Sequence, residues 1–253
     1  KGVYHMSSLS ANGTTTDSTI NANVLNSGPI DMCCGAGVSP VATTTLIGNG
    51  FHFDAVNQYR GGAATTTSNL GLGTGARTFS GWFKPLQFFV GSEERLAFFR
   101  SASGGNDQYV ITADEAGAMR FDLSNTISQS VAVGSSTIST NAWSYIVGSW
   151  DGSNAYFYIN GVLDGSGVLS GSMADAKATI GVFGGATRAF KFIADEVRFS
   201  ATTRPIDWIK TEYNNQSSTT TFYSFGSQVA SSTVSSSLVV GNNLTLAGIG
   251  NGA

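Results

Sequence analysis

The feature that most constrains this chain is the run NAWSYIVGSWDGSNAYFYINGVLDGSG, residues 141–167. Within it Trp143, Tyr145 and Val147 fall on one face of an extended segment and Ile146 and Trp150 on the other, because strand side chains alternate with a period of two. Asp151-Gly152 and Asn160-Gly161 close the apolar runs, and such pairs supply the positive φ that a tight hairpin turn needs. The spacing predicts three consecutive antiparallel strands in a meander. Apolar weight on both faces of the first strand predicts that it lies inside a packed sandwich.

The same pattern recurs along the chain: FHFDAVNQY (51–59), TFSGWFKPLQFF (78–89), RLAFFRS (95–101), QYVITAD (108–114), AMRFDL (118–123), ATIGVFG (178–184) and FKFIADEVRFS from Phe190. Short strands at this density predict an all-β sandwich or barrel. Pro85 cannot donate to a ladder, so its run is expected at an edge or a bulge. One segment follows a helical period instead. RPIDWIKTEYNN (204–215) spaces Ile206, Ile209 and Tyr213 for one face, and Pro205 suits a first turn, so a short amphipathic helix packing on the sandwich is expected. Residues 12–50, rich in Gly, Thr, Ser and Asn, predict an N-terminal strand with long loops. Residues 227–253 carry almost no charge, and are expected to form a linker or an added strand.

Composition narrows the function classes. Thirteen Lys plus Arg against sixteen Asp plus Glu give a net charge of −3, with only 11% of residues charged, which excludes an electrostatic nucleic-acid binder. Hydrophobic residues at 41% suffice for a sizeable core. No apolar run approaches the roughly 18 residues of a membrane span. The two cysteines, Cys33 and Cys34, are adjacent. Neighbouring Cα atoms about 3.8 Å apart lie below the usual disulfide range, so free thiols or intermolecular pairing are expected. Without a histidine cluster the pair does not make a structural zinc site.

The meander resembles the W-x₅₋₆-D-G-x₄-Y-x-[ND]-G hairpin of LamG-like jelly rolls in the concanavalin A-like lectin/glucanase superfamily. Other landmarks follow in the family's order: KGVYHM with TTDSTINAN, FHFDAVNQY, TFSGWFKP, and the closing IADEVRFS-x₃-RPIDWIKTEYNNQ. Two positions depart from the pattern: Tyr4 stands where Trp is usual, and Asp54-Ala55 replaces Asp-Gly. The resemblance covers residues 1–226 and implies a concanavalin A-like, two-sheet antiparallel jelly-roll sandwich with one short C-terminal helix. It also implies a module that is usually non-catalytic and often holds one structural calcium.

Calcium is a hard cation that needs several oxygen ligands. The resemblance points to Asp17, Asp54 and Asp195, at landmarks near which related jelly rolls place their ion, with Ser18, Asn21 and Asn23 as further oxygen donors. Alternatively Asp17 caps a turn, Asp54 makes an Asx turn and Asp195 pairs with Arg198 or Arg60. Sugar binding needs an exposed aromatic platform beside amide and carboxylate groups. Trp82, Trp143, Trp150 and Trp208 are expected in packing; Tyr156 and Tyr158 share one face of the hairpin, half-buried or lining a concave surface. No ligand-binding residue is assigned. Catalysis by a retaining glucanase needs two carboxylates about 5 to 5.5 Å apart. The pairs Glu93-Glu94, Asp114-Glu115 and Asp195-Glu196 are adjacent, which in a strand sends them to opposite faces. His5 and His52 are accompanied by no G-x-S-x-G elbow. GLGTG (71–75) does not join a strand to a helix as a phosphate loop does.

The resulting expectation is a non-catalytic extracellular or cell-surface adhesion module that binds glycans or surface proteins, with a structural calcium. The alternative is a structural subunit of a self-assembling filament, layer or fibre, associating through the 227–253 tail or Cys33 and Cys34.

Overall fold

The structure, a computed structural model, describes residues 2–4, 14–15, 18–19, 25–28, 41–53, 55–57, 60–61, 63–66, 70–88, 94–101, 107–124, 130–174, 176–181 and 191–218. All of them belong to the compact unit Lys1–Thr219; a second unit comprises Thr220–Ala253. The boundary expected at 226, the 227–253 tail, and Cys33 and Cys34 lie outside the described residues.

The fold is an all-β, two-sheet antiparallel sandwich with a helix on one outer face. The first sheet runs Val162–Val168, Asn154–Ile159, Ser144–Trp150, Arg77–Gln87, Lys191–Ser200, Asn49–Phe53 and Val41–Thr44, with Gly2–Tyr4 also paired to Lys191–Ser200. The second runs Ser130–Val133, Met119–Ser124, Asp107–Ala113, Glu94–Ser101, Ala176–Gly181, Ala63–Thr66, Leu25–Gly28 and Thr14–Thr15. A small ribbon pairs Ala55–Asn57 with Arg60–Gly61.

The predicted meander forms with the expected turns. Gly152 has φ +102°, and Asn160 and Gly161 have φ +52° and +77°, the two positive values of a type I′ connection. Ser144–Trp150 is buried along its whole length, for two different reasons. Its inner residues Ile146 and Trp150 join the sandwich core with Phe79, Phe121, Phe157 and Phe199. Its outer residues Tyr145 and Val147 join Trp82, Tyr158 and Ile209 in a second cluster beneath the helix. The two sheets meet through rings: Phe121, edge to face with Tyr109 of its own sheet at 4.5 Å, stacks across on Phe157 of the first sheet at 6.0 Å. The Tyr109 hydroxyl, fully buried, donates across the core to the Gly148 carbonyl.

The helix spans Ile206–Ser217, with Pro205 as its extended N-cap rather than in its first turn. Asp207 lies in the first turn, where a negative charge suits the helix dipole. Pro85 sits in a central strand, not a sheet edge, and the bulge reading holds. Its register partner Phe192 follows a shift after Lys191, and Ser144–Trp150 stops at Phe83, so no ladder donor is demanded of the proline. Tyr4, in the usual tryptophan position, is fully buried with its ring edge-on to Phe199 at 6.0 Å.

Candidate functional site

Asp195 lies mid-strand, where Lys191–Ser200 bulges. Ala194 and Val197 both face the core although they are three residues apart, and Glu196 has φ +50°. The extra residue breaks strand alternation. The expectation that Asp195 and Glu196 point to opposite faces therefore fails: both leave the core side. Asp195 is fully buried, and its Oδ2 accepts from the Thr45 hydroxyl at 2.8 Å and the Ile47 amide at 3.0 Å. Its Oδ1 has no hydrogen-bond partner among the described residues. Burial pushes its pKa up to about 6 against the pull of the Thr45 and Ile47 bonds. The expected pairing with Arg198 does not occur, because the Arg198 guanidinium serves Glu196 and Glu212.

Asp17, Asp54, Asn21 and Asn23 lie outside the described residues, whereas Ser18 is exposed and its amide donates to Val3 O at 2.9 Å. A buried carboxylate oxygen without a donor fits the chemistry of a hard-cation ligand. Among the described residues no three His, Cys, Asp or Glu side chains gather for a metal, so an ion on Asp195 would need oxygen ligands from elsewhere.

Beneath the helix a second polar group is closed off from solvent. Glu212 accepts from the Tyr145 hydroxyl and from Arg198 Nη1, while Arg198 Nη2 donates to Glu196 at 3.0 Å. Burial raises the Glu212 carboxyl above its ordinary range although Arg198 opposes the shift. Tyr145 is raised as well, by burial and then by the neighbouring Glu212 charge. Trp82 donates its indole N–H to Gln216 at 2.6 Å, tying the last helical turn to the sheet. Aromatic packing follows suit: Trp150 is wholly buried, while Trp143 and Trp208 are half-buried against the cluster, Trp208 under the Arg204 guanidinium at 4.7 Å. Tyr158 is buried rather than lining a concave face. Tyr156 is half-buried, and its hydroxyl donates to Asp151 at 3.0 Å. Burial, the largest single influence on Asp151, pushes its carboxyl up, but the bonds from the Asn154 and Ser153 amides, Tyr156 and the Asn154 side chain together outweigh it and hold Asp151 below the usual carboxylate range.

The open candidate site lies where the second sheet ends. A cavity of about 240 Å³ is bounded by Thr112, Asp114 and Arg120 on one side and by Gly134 and Ser135 on the other. Local chemistry builds it. Asp114 Oδ1 accepts from the Ala116 and Ala118 amides at 2.9 and 2.8 Å, closing the turn that Gly117 completes with φ +80°. Only glycine fits there, since a Cβ would stand 2.5 Å from Ile138 O. Arg120 pairs with Asp122 at 2.8 Å, and the Thr112 hydroxyl donates to the same carboxylate at 3.3 Å. The opposite wall is pinned by Asp164, whose Oδ2 accepts from the Ser135 and Ser136 amides at 3.0 and 3.2 Å. In the sequence Asp114-Glu115 stands out only as an adjacent acidic pair. The Asx turn in TADEAGAM was a local signal; the facing wall was not.

A laminin G-type family profile, described as concanavalin A-like lectin/glucanases superfamily, matches residues 58–210, more than half of the chain. The chain belongs to this superfamily. No curated protein matches it. Among solved structures it is similar to the botulinum neurotoxin serotype G binding domain, at 14% identity and TM-score 0.64, over 86% of this chain and 51% of that one. The binding domain of Paraclostridial Mosquitocidal Protein 1 gives 13% identity and TM-score 0.63, over 85% and 52%. A third similar structure is of botulinum neurotoxin type C, whose cell entry is dependent upon interaction with two ganglioside molecules; here identity is 13%, TM-score 0.60 and coverage 85% and 51%. The chain spans about half the length of these structures, and at such identities the likeness is one of fold.

Proposed function

We propose that this superfamily member is a non-catalytic glycan-recognition module of an extracellular or cell-surface protein. The observation that carries the reading is the cavity at Asp114, Arg120 and Ser135, which offers carboxylate, guanidinium and hydroxyl groups together on a preformed rim. Sugars are recognised by such convergent hydrogen-bonding groups. The similar solved structures, two of them binding domains and one concerned with gangliosides, support recognition over catalysis. So does the enclosure of Glu196 and Glu212 with Arg198 and Tyr145, which commits these acids to holding the helix. A printed glycan array tests the reading: retention of the wild-type chain that is lost in Arg120→Ala supports it, and no retention on any glycan removes it.

A structural calcium belongs to the same proposal. Asp195 Oδ1 would be one ligand, with Asp17 and Asp54 as the partners that the family resemblance implies. The ion would supply positive charge that compensates the buried carboxylate and fixes the 45–48 turn bonded to it.

The structural-subunit alternative is favoured by one observation. Val162–Val168 forms the outer edge of its sheet, with Val162 66% and Val168 76% exposed. An apolar edge strand is a template for pairing with another chain. Light scattering on the purified chain separates the readings, since assembly lost in Val168→Lys would favour the subunit.

A further inference from the structure

Resting on the glycan reading, we infer that the cavity beside Asp114 takes a single uncharged sugar residue and rejects carboxylate-bearing sugars such as sialic acids. Size gives the first half. At about 240 Å³ the cavity is smaller than the roughly 300 Å³ at which sites for larger ligands begin, which suits one ring.

Charge gives the second half. Asp114 uses Oδ1 for its own turn, and among the described residues no hydrogen bond engages its Oδ2, so this oxygen can accept from a ligand hydroxyl. Among the described lining residues the one cation is Arg120, and it is paired with Asp122. A sugar carboxylate placed here would meet Asp114 with no uncommitted counter-charge among the described residues, and like charges across a desolvated contact are strongly disfavoured. A neutral ring instead donates hydroxyls to Asp114 and accepts from the Arg120 side.

The test is an array that prints neutral oligosaccharides beside their sialylated counterparts, probed with the wild-type chain, Asp114→Asn and Ser135→Tyr. Asparagine keeps an oxygen for the Ala116 and Ala118 amides, so its melting temperature should match wild type. Its affinity for the neutral ligand should fall about ten- to a hundredfold, as expected on losing a charged hydrogen-bond acceptor, and the neutral-to-sialylated preference should shrink. Ser135→Tyr fills the cavity from an exposed loop without touching the turn, and should abolish retention. Sialylated members retained as well as neutral ones, or full binding by both variants, would overturn this inference while leaving glycan recognition in place. Retention of neither class overturns both.

Discussion

Replacing Trp150 by alanine should be among the most damaging single changes in this chain. The indole is fully buried between the sheets, and its N–H donates to Leu169 O at 2.7 Å. Truncating a buried large aromatic typically costs about 3 to 5 kcal/mol, and the stranded carbonyl adds to that. Against a total stability of about 5 to 15 kcal/mol the loss is large. For a domain of this size it corresponds to a fall in melting temperature of roughly 6 to 20 °C. Trp143→Ala is the internal comparison. That ring is half-buried against the helix-side cluster and should cost about half as much, in proportion to the apolar area it removes from water. Urea and thermal unfolding followed by tryptophan fluorescence and circular dichroism give both numbers. If Trp143→Ala proved the more costly of the two, the assignment of Trp150 to the sandwich core and Trp143 to the outer cluster would be wrong.

The remaining expectations concern charge, close packing and metal. In chelator, Asp195 binds its proton up to about pH 6 when folded but only up to its ordinary value of 3.8 when unfolded, so its penalty is absent below about pH 4, grows between about pH 4 and 6, and levels off above that at about 3 kcal/mol. Melting scans from pH 4 to 7 should show this trend, and it should flatten in Asp195→Asn; an unchanged slope in that variant would refute the assignment. Calcium at pH 7 should raise the melting temperature of wild type and leave Asp17→Ala and Asp195→Ala unmoved, whereas identical melting in calcium and chelator refutes the ion. Gly148→Ala would place a methyl 2.9 to 3.1 Å from three atoms of the Phe121 ring, and should cost about 1 to 3 kcal/mol by chemical denaturation.

Much of the fold was legible because it rests on local chemistry. Alternation over residues 143–150 sorted Tyr145 and Val147 from Ile146 and Trp150, and the structure keeps that sorting, since a strand offers its side chains only two directions. Asp151-Gly152 and Asn160-Gly161 marked their turns because few other pairs accept positive φ. The 206–213 spacing located the helix for the same reason of period. The candidate site was less legible. Its Asx turn is local, but its far wall is held by Asp164, which reaches back to Ser135 and Ser136 across the sandwich edge.

What the sequence determined by itself was therefore the inventory of strands, tight turns and one helix, together with the two faces of each. Only the tertiary structure decided which elements share a face. It set Thr45 against Asp195, 150 residues apart, and left the second oxygen of that acid with no hydrogen-bond partner among the described residues. It also inserted the bulge at Glu196 and turned two adjacent acids away from the core, against strand periodicity. The reason is physical: period and turn propensity act over a few residues, whereas burial, bulges and polar pairing are fixed by neighbours that the chain meets only once both sheets have closed.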